Sequence, residues 1–215
     1  MDTLFSPDSV LMRGLTRLAD VMILNALFVV TAIPVVTLGA ALTALNFTAM
    51  RIATGDCNSV SGDYFRSFQR NFRQGIVVGL VLAGLGGVLG AWYVVVTNLA
   101  IAPLAEFALL AIWYGLAFSF VAMVAFVFPY LARFEGSTGE VLRNARRLSM
   151  RHPLTALGVT GLIGLAAIVT VFYPQATGFG MLWLLGGFAG IAVANGFLFA
   201  RIFDRYIAAQ AANQT

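Results

Sequence analysis

Five polar side chains interrupt otherwise apolar runs: Asn25, Asn46, Ser119, Thr160 and Asn195. Uncharged amides and hydroxyls in such places could converge on a neutral polar ligand such as a sugar. Their plainer use is hydrogen bonding between helices in lipid. Asn25 and Asn46 lie at similar distances on either side of Pro34, so an antiparallel pair of helices would bring them together. Catalytic chemistry finds little to work with. The chain has no nucleophile with a base at a recognisable spacing, no phosphate loop and no paired carboxylates inside an apolar run. His152, beside Pro153, reads as a helix cap or a headgroup contact. With Cys57 as the single cysteine and His152 as the single histidine, no zinc cluster and no internal disulfide can form. Asp20, three residues after Arg17, suits an ion pair, and Glu106 suits a helix N-terminus. No charge falls at a clear mid-segment position, which argues against proton-coupled pumping and voltage sensing. The expectation is a protein that is not an enzyme and holds no cofactor or metal.

The elements that must position these residues are membrane helices. Of 215 residues 60% are hydrophobic and only 10% charged, with a mean hydropathy of +0.89. Soluble domains carry about 25% charged residues, so lipid has to solvate this chain. Segments of suitable length run over residues 14–33, 35–52, 75–98, 104–131, 154–173 and 179–202. The second is short and polar enough to be re-entrant instead of spanning. Arg13 and Arg17 ahead of an apolar core give the N-terminus the form of a signal peptide. Further apolar segments follow, so the first helix is expected to be retained.

Basic residues then set the topology. All 13 are arginine. They fall before or at the start of the first segment, from the end of the second to the start of the third, between the fourth and fifth, and at the close of the sixth. The connections near residues 33–38, 97–104 and 173–179 contain none. By the positive-inside rule the arginine side is cytoplasmic, which predicts a multi-pass inner-membrane protein with both termini inside. The same segregation requires a hairpin turn at Pro34, where the ring ends a helix and brings no N–H. Thr37 is then a candidate cap for the second helix, and Gly39 permits close approach. A net charge of +4 in this setting reports orientation, not nucleic-acid binding.

Two connections on the arginine side carry helical periodicity. In DYFRSFQRNFRQ, Tyr64, Phe65, Phe68 and Phe72 share a face opposite Arg66, Arg70 and Arg73. In EVLRNARRLSMR, Val141, Leu142, Ala145 and Leu148 lie opposite Arg143, Arg146, Arg147 and Arg151. Ser137-Thr138-Gly139-Glu140 has the form of a capping box that starts this second stretch. Both are expected to be interfacial helices against the inner leaflet, their arginines contacting anionic headgroups or a partner. An Arg-x-x-x-Arg pair precedes each hairpin, at Arg13/Arg17, Arg66/Arg70 and Arg143/Arg147. The prediction is therefore one all-α membrane domain over 1–215. It contains about six helices as three hairpins, roughly 9–53, 61–132 and 138–205, with two amphipathic helices on the cytoplasmic side. Small-residue spacings at Gly75/Gly79, Gly86/Gly90, Gly158/Gly161/Gly164 and Gly186/Gly190 predict dense helix packing, within the chain or in a homo-oligomer.

Leu24-Asn25, the run Ile33-Pro34-Val35-Val36-Thr37-Leu38-Gly39-Ala40, and then Phe65, Ser67, Phe68, Asn71 and Phe72 resemble the signature of the YesL family of bacterial membrane proteins. Pro129-Tyr130, Phe134 and His152-Pro153 are similar to its later part. That family has no established function, and its genes often lie beside sugar-uptake ABC transporters. The resemblance implies a non-enzymatic accessory or regulatory role in carbohydrate uptake, with ABC-transporter subunits or a sensor protein as partners. It supplies no catalytic residues. Candidates for a ligand or helix–helix contact are Asn25, Thr37, Asn46 and Asn195. The rival expectation is a small transporter or channel for a neutral solute, lined by Asn25, Asn46 and Asn195.

Overall fold

A computed structural model describes residues 10–178 and 180–212. The chain ends, 1–9 and 213–215, for which a cytoplasmic position is expected, lie outside the described residues. So does residue 179, the expected start of the sixth segment. The fold is all-α among the described residues: α1 (Val10–Ala32), α2 (Leu38–Thr54), α3 (Val60–Arg70), α4 (Phe72–Asn98), α5 (Pro103–Arg133), α6 (Thr138–Arg151), α7 (Pro153–Phe172) and α8 (Phe188–Ala212). Six helices are long and apolar enough to cross a membrane. The chain is a multi-pass membrane protein, because only helices close their own backbone hydrogen bonds in lipid without a barrel.

Pro34 ends α1 as expected. A single 3-10 turn, Val35–Thr37, links it to α2. Thr37 stands at the N-cap of α2 but does not cap it. Its hydroxyl points back, donating to the carbonyls of Thr31 (2.6 Å) and Pro34 (2.7 Å). The Thr31 carbonyl lies in the last turn of α1, where helical donors run out, whereas the Pro34 carbonyl also accepts from the Thr37 N–H at 2.8 Å.

α2 is the most enclosed of the six long helices, and α1, α3, α4, α5 and α8 pack around it. Where it meets α4 the backbones touch. A Cβ on Gly39 would collide with the Gly75 carbonyl, and one on Gly75 would come within 2.7 Å of the Ala40 Cα. Gly39 therefore does permit close approach, but its partner is α4. The contact also refines the topology expected from the arginines, which puts the Pro34 turn and Arg73 at opposite faces of the bilayer. In the fold α2 begins level with the first turns of α4. From Gly79 α4 continues to Asn98. At a rise of about 1.5 Å per residue that stretch is roughly 28 Å long. The Pro34 turn thus lies beside the start of α4 and not at its far end.

The two amphipathic stretches are helical, and their polar faces point outward; the second is α6, but the first breaks at Asn71, so that Phe72 and Arg73 belong to the first turn of α4 and not to α3. Arg66, Arg70, Arg73, Arg143, Arg146, Arg147 and Arg151 are all exposed. Their apolar faces, however, are taken by protein. Val60 and Tyr64 are buried in a core cluster with α1 and α2, while Val141, Ala145 and Leu148 are buried in one with α5 and α8. A 3.6-residue stripe reads the same whether lipid or protein covers it. Only Phe65 and Phe72 keep substantial exposed aromatic surface on this stripe. The capping box at α6 forms: Glu140 accepts from the Ser137 N–H at 2.8 Å, and the Ser137 hydroxyl accepts from the Glu140 N–H. The Ser137 backbone bond holds the Glu140 carboxyl below the usual range.

The predicted glycine packing holds in part. Gly75 and Gly79 meet Gly39, and Gly86 faces the Phe120 ring at 3.5 Å. Gly90, Gly158, Gly161, Gly164 and Gly190 have open space where a Cβ would stand.

Candidate functional site

Three polar arrangements lie within the bundle. The first centres on Asn25, which is fully buried on α1. Its partner is not Asn46. Its amide nitrogen donates to the carbonyls of Trp183 (2.8 Å) and Leu184 (2.9 Å), and its oxygen accepts from the Ala189 N–H (3.1 Å). Residues Trp183–Gly187 form a π-helical turn. Such a turn breaks the regular ladder and frees backbone groups. The Asn25 amide is inserted into that break, joining carbonyls on one side to an N–H on the other. Nothing in the sequence marks the π turn apart from Gly186-Gly187, so this partner was not legible. Asn46 meanwhile donates to Leu42 in its own helix (2.8 Å).

The second arrangement ties α1, α2 and α3 together. Asp63 is 5% exposed and pairs with Arg51 at 3.2 Å and Arg66 at 3.6 Å. Its Oδ2, Arg51 Nε and the Thr48 hydroxyl have no hydrogen-bond partner among the described residues. Tyr64 and Thr31 share a hydrogen bond that joins α3 to the end of α1. Burial pushes the Tyr64 phenol up to about 12. Cys57 stands beside Asp63. Burial first, and then that carboxylate, push the thiol up to about 11. A thiol held protonated at neutral pH is a poor nucleophile, so this knot is structural. Asp20 contributes to the same rise at Cys57 and forms no ion pair with Arg17 among the described residues.

The third is a cavity of about 490 Å³ enclosed by α1, α2, α5, α7 and α8. That size falls within the range of ligand sites, about 300–1,000 Å³. It exists because α7 stands off from α8, so the third hairpin is splayed where the others are closed. The walls are apolar, with Phe28, Leu45, Phe128, Phe188, Ile191 and Phe199 among them. Ile163 and Val171 of α7 line it and are also exposed, so the cavity opens on the apolar outer surface. Three polar side chains reach it. Thr170 is committed, accepting from Trp183 Nε1 (3.0 Å) and donating to Ala166 (2.7 Å). Asn46 has only its amide nitrogen engaged. Asn195 is 5% exposed and has no hydrogen-bond partner among the described residues.

The predicted site residues therefore separate. Asn46 and Asn195 share the cavity, Asn25 is spent on the π turn, and Thr37 belongs to the Pro34 turn. His152 joins α6 to α7, its Nε2 within 3.1 Å of the Tyr206 hydroxyl. No group of His, Cys, Asp and Glu among the described residues could hold a metal ion.

Residues 21–94 match the model of a family described as protein of unknown function, DUF624. The matched stretch runs from mid-α1 through the Pro34 turn, α2 and α3 into α4, and so includes the Gly39–Gly75 crossing. No curated protein and no solved structure matches the chain.

Proposed function

We propose that the chain is a YesL-type accessory or regulatory protein of the bacterial inner membrane, working beside a carbohydrate ABC transporter and not as an enzyme. The observation that carries this reading is the outward basic face. Arg73, Arg146, Arg147 and Arg151 are exposed and make no ion pair with a described residue. The apolar side of α6 is already occupied and Arg73 stands on the first turn of the long helix α4, so these guanidinium groups are held in place on the bundle instead of floating on a loose helix. Each contributes about 1 kcal/mol at an anionic membrane surface, and planar guanidinium equally suits carboxylates on a partner. The arginine segregation supports a cytoplasmic position for this face, and the resemblance carried by Leu24 through Phe72 supports the transporter link.

Affinity capture of the tagged protein in mild detergent tests the proposal. The wild type should bring down a sugar-transporter subunit. An Arg73→Glu/Arg146→Glu/Arg147→Glu variant should insert normally and lose that subunit. Unchanged co-capture by the variant, or solute flux by the purified protein alone in liposomes, would overturn the reading. Asn25 is already engaged with the π turn, which leaves the rival solute path one of its three expected linings short.

A further inference from the structure

We infer that the α1/α2/α5/α7/α8 cavity is a binding site for a neutral lipid bearing a hydroxyl group, with that hydroxyl seated on Asn195. The inference goes beyond the accessory role and does not depend on it.

The starting point is the amide of Asn195. It is 5% exposed, lines the cavity and lacks a partner among the described residues. A buried amide left unpaired in an apolar medium is costly, so such groups are nearly always satisfied. Hydrocarbon alone cannot satisfy this one. An occupant that brings a hydrogen-bonding group to this depth satisfies it in place of water.

The remaining polar groups narrow that group to a hydroxyl. Asn46 has a free amide oxygen beside its engaged nitrogen. Ala125 also lines the cavity, and the residue four beyond it is Pro129. Proline has no N–H to return to the Ala125 carbonyl. The site thus offers amide N–H donors, two on Asn195 and one left on Asn46, beside the two amide oxygens as acceptors. A hydroxyl both donates and accepts, and matches that set; an ester or ketone only accepts.

The walls settle the rest of the ligand. They are aliphatic and aromatic, and no ionisable side chain among the described residues lines the cavity. A fatty acid or phospholipid headgroup would arrive with an uncompensated charge. A sugar carries a hydroxyl on nearly every carbon, and most would be left facing Phe and Ile. A long apolar chain with one hydroxyl fills the walls and meets the amide, and it can reach the cavity from the bilayer past Ile163 and Val171.

Trp183 lines the cavity and reports on it. The purified protein would be titrated with a mid-chain brominated long-chain primary alcohol, and with the matching brominated alkane and fatty acid, while tryptophan emission is followed. Saturable quenching by the alcohol, absent in Trp183→Phe, is expected. Asn195→Leu should weaken alcohol binding about tenfold, the loss of one hydrogen bond, and leave the alkane unchanged. Ala167→Phe, which fills the cavity without touching its polar groups, should abolish quenching and serves if Asn195→Leu does not fold. Equal quenching by alcohol and alkane, preference for the fatty acid, no saturable quenching, or binding unmoved by either variant would overturn the inference.

Discussion

Replacing Asn25 by leucine removes three hydrogen bonds at almost constant volume, which makes it a clean measure of what holds the π turn. Side-chain hydrogen bonds between membrane helices average about 0.6 kcal/mol and reach about 1.7 kcal/mol. Three at the average give about 2 kcal/mol. The change also leaves the Ala189 N–H and the carbonyls of Trp183 and Leu184 facing an alkyl group. A buried group stripped of its partner costs about 1–3 kcal/mol, and the carbonyls keep part of their helical bonding. The expected loss is therefore about 2–4 kcal/mol. Unfolding from mixed micelles by added SDS, followed by circular dichroism, measures it. The emission of Trp183 should change in the same variant, because its ring packs on Phe188 at 4.9 Å and lies against Gly187. A loss smaller than one average interhelical bond, about 0.6 kcal/mol, with unchanged emission would refute the reasoning, since the π turn would then be holding itself.

Other outcomes follow from the same structure. Gly39→Ala should cost about 3 kcal/mol, the upper range for overpacking, because backbone faces the new methyl. Gly158→Ala, which meets open space, should be neutral or stabilise by up to ~1 kcal/mol. The SDS unfolding midpoints of the two variants compare them directly. Alkylation of Cys57 by iodoacetamide should stay slow at neutral pH and rise as the pH approaches about 11, where the thiol ionises. Asp63→Asn removes the neighbouring negative charge and should move that profile to lower pH; an unmoved profile would count against the assigned cause. Tyr64→Phe deletes the bond to Thr31 and should cost about 1 kcal/mol, read as a lowered melting temperature in detergent.

What could be read from the sequence was what single segments determine by themselves. Apolar length gave five of the six long helices to within about four residues, while the last, α8, ends about ten residues beyond its expected end; proline at position 34 gave the turn, and Ser137 with Glu140 gave the start of α6. What could not be read depends on which surfaces meet. The glycine spacing at Gly75/Gly79, which face α2, resembles that at Gly158/Gly161, which face open space, because spacing describes one helix and not its neighbour. The stripe on α3 has one period whether lipid or Leu24 and Ala44 lie beneath it. Counting arginines places Arg73 across a bilayer from Pro34, since charge sorts segment ends by side and carries no information on how deeply a hairpin is set. Asn25 and Asn46 look equivalent about the turn, yet one meets a distant π turn and the other its own backbone. The cavity needs five helices and a splayed hairpin, and no local pattern encodes it beyond the presence of Asn195 in an apolar run.

The π turn at Trp183–Gly187 amounts to a phase slip in the last helix. An extra residue in one turn offsets everything before it by about 100° relative to everything after it, the angle per residue of an α-helix. Trp183 can therefore address Thr170 on α7 while Ala189, further along, addresses α1. A regular helix would present these two residues at a different relative angle. Deleting one residue between 183 and 187 would restore the phase and turn Trp183 away from α7. It would also leave the Asn25 amide with no gap to fill. One asparagine on the first helix thus bridges the two registers of the last.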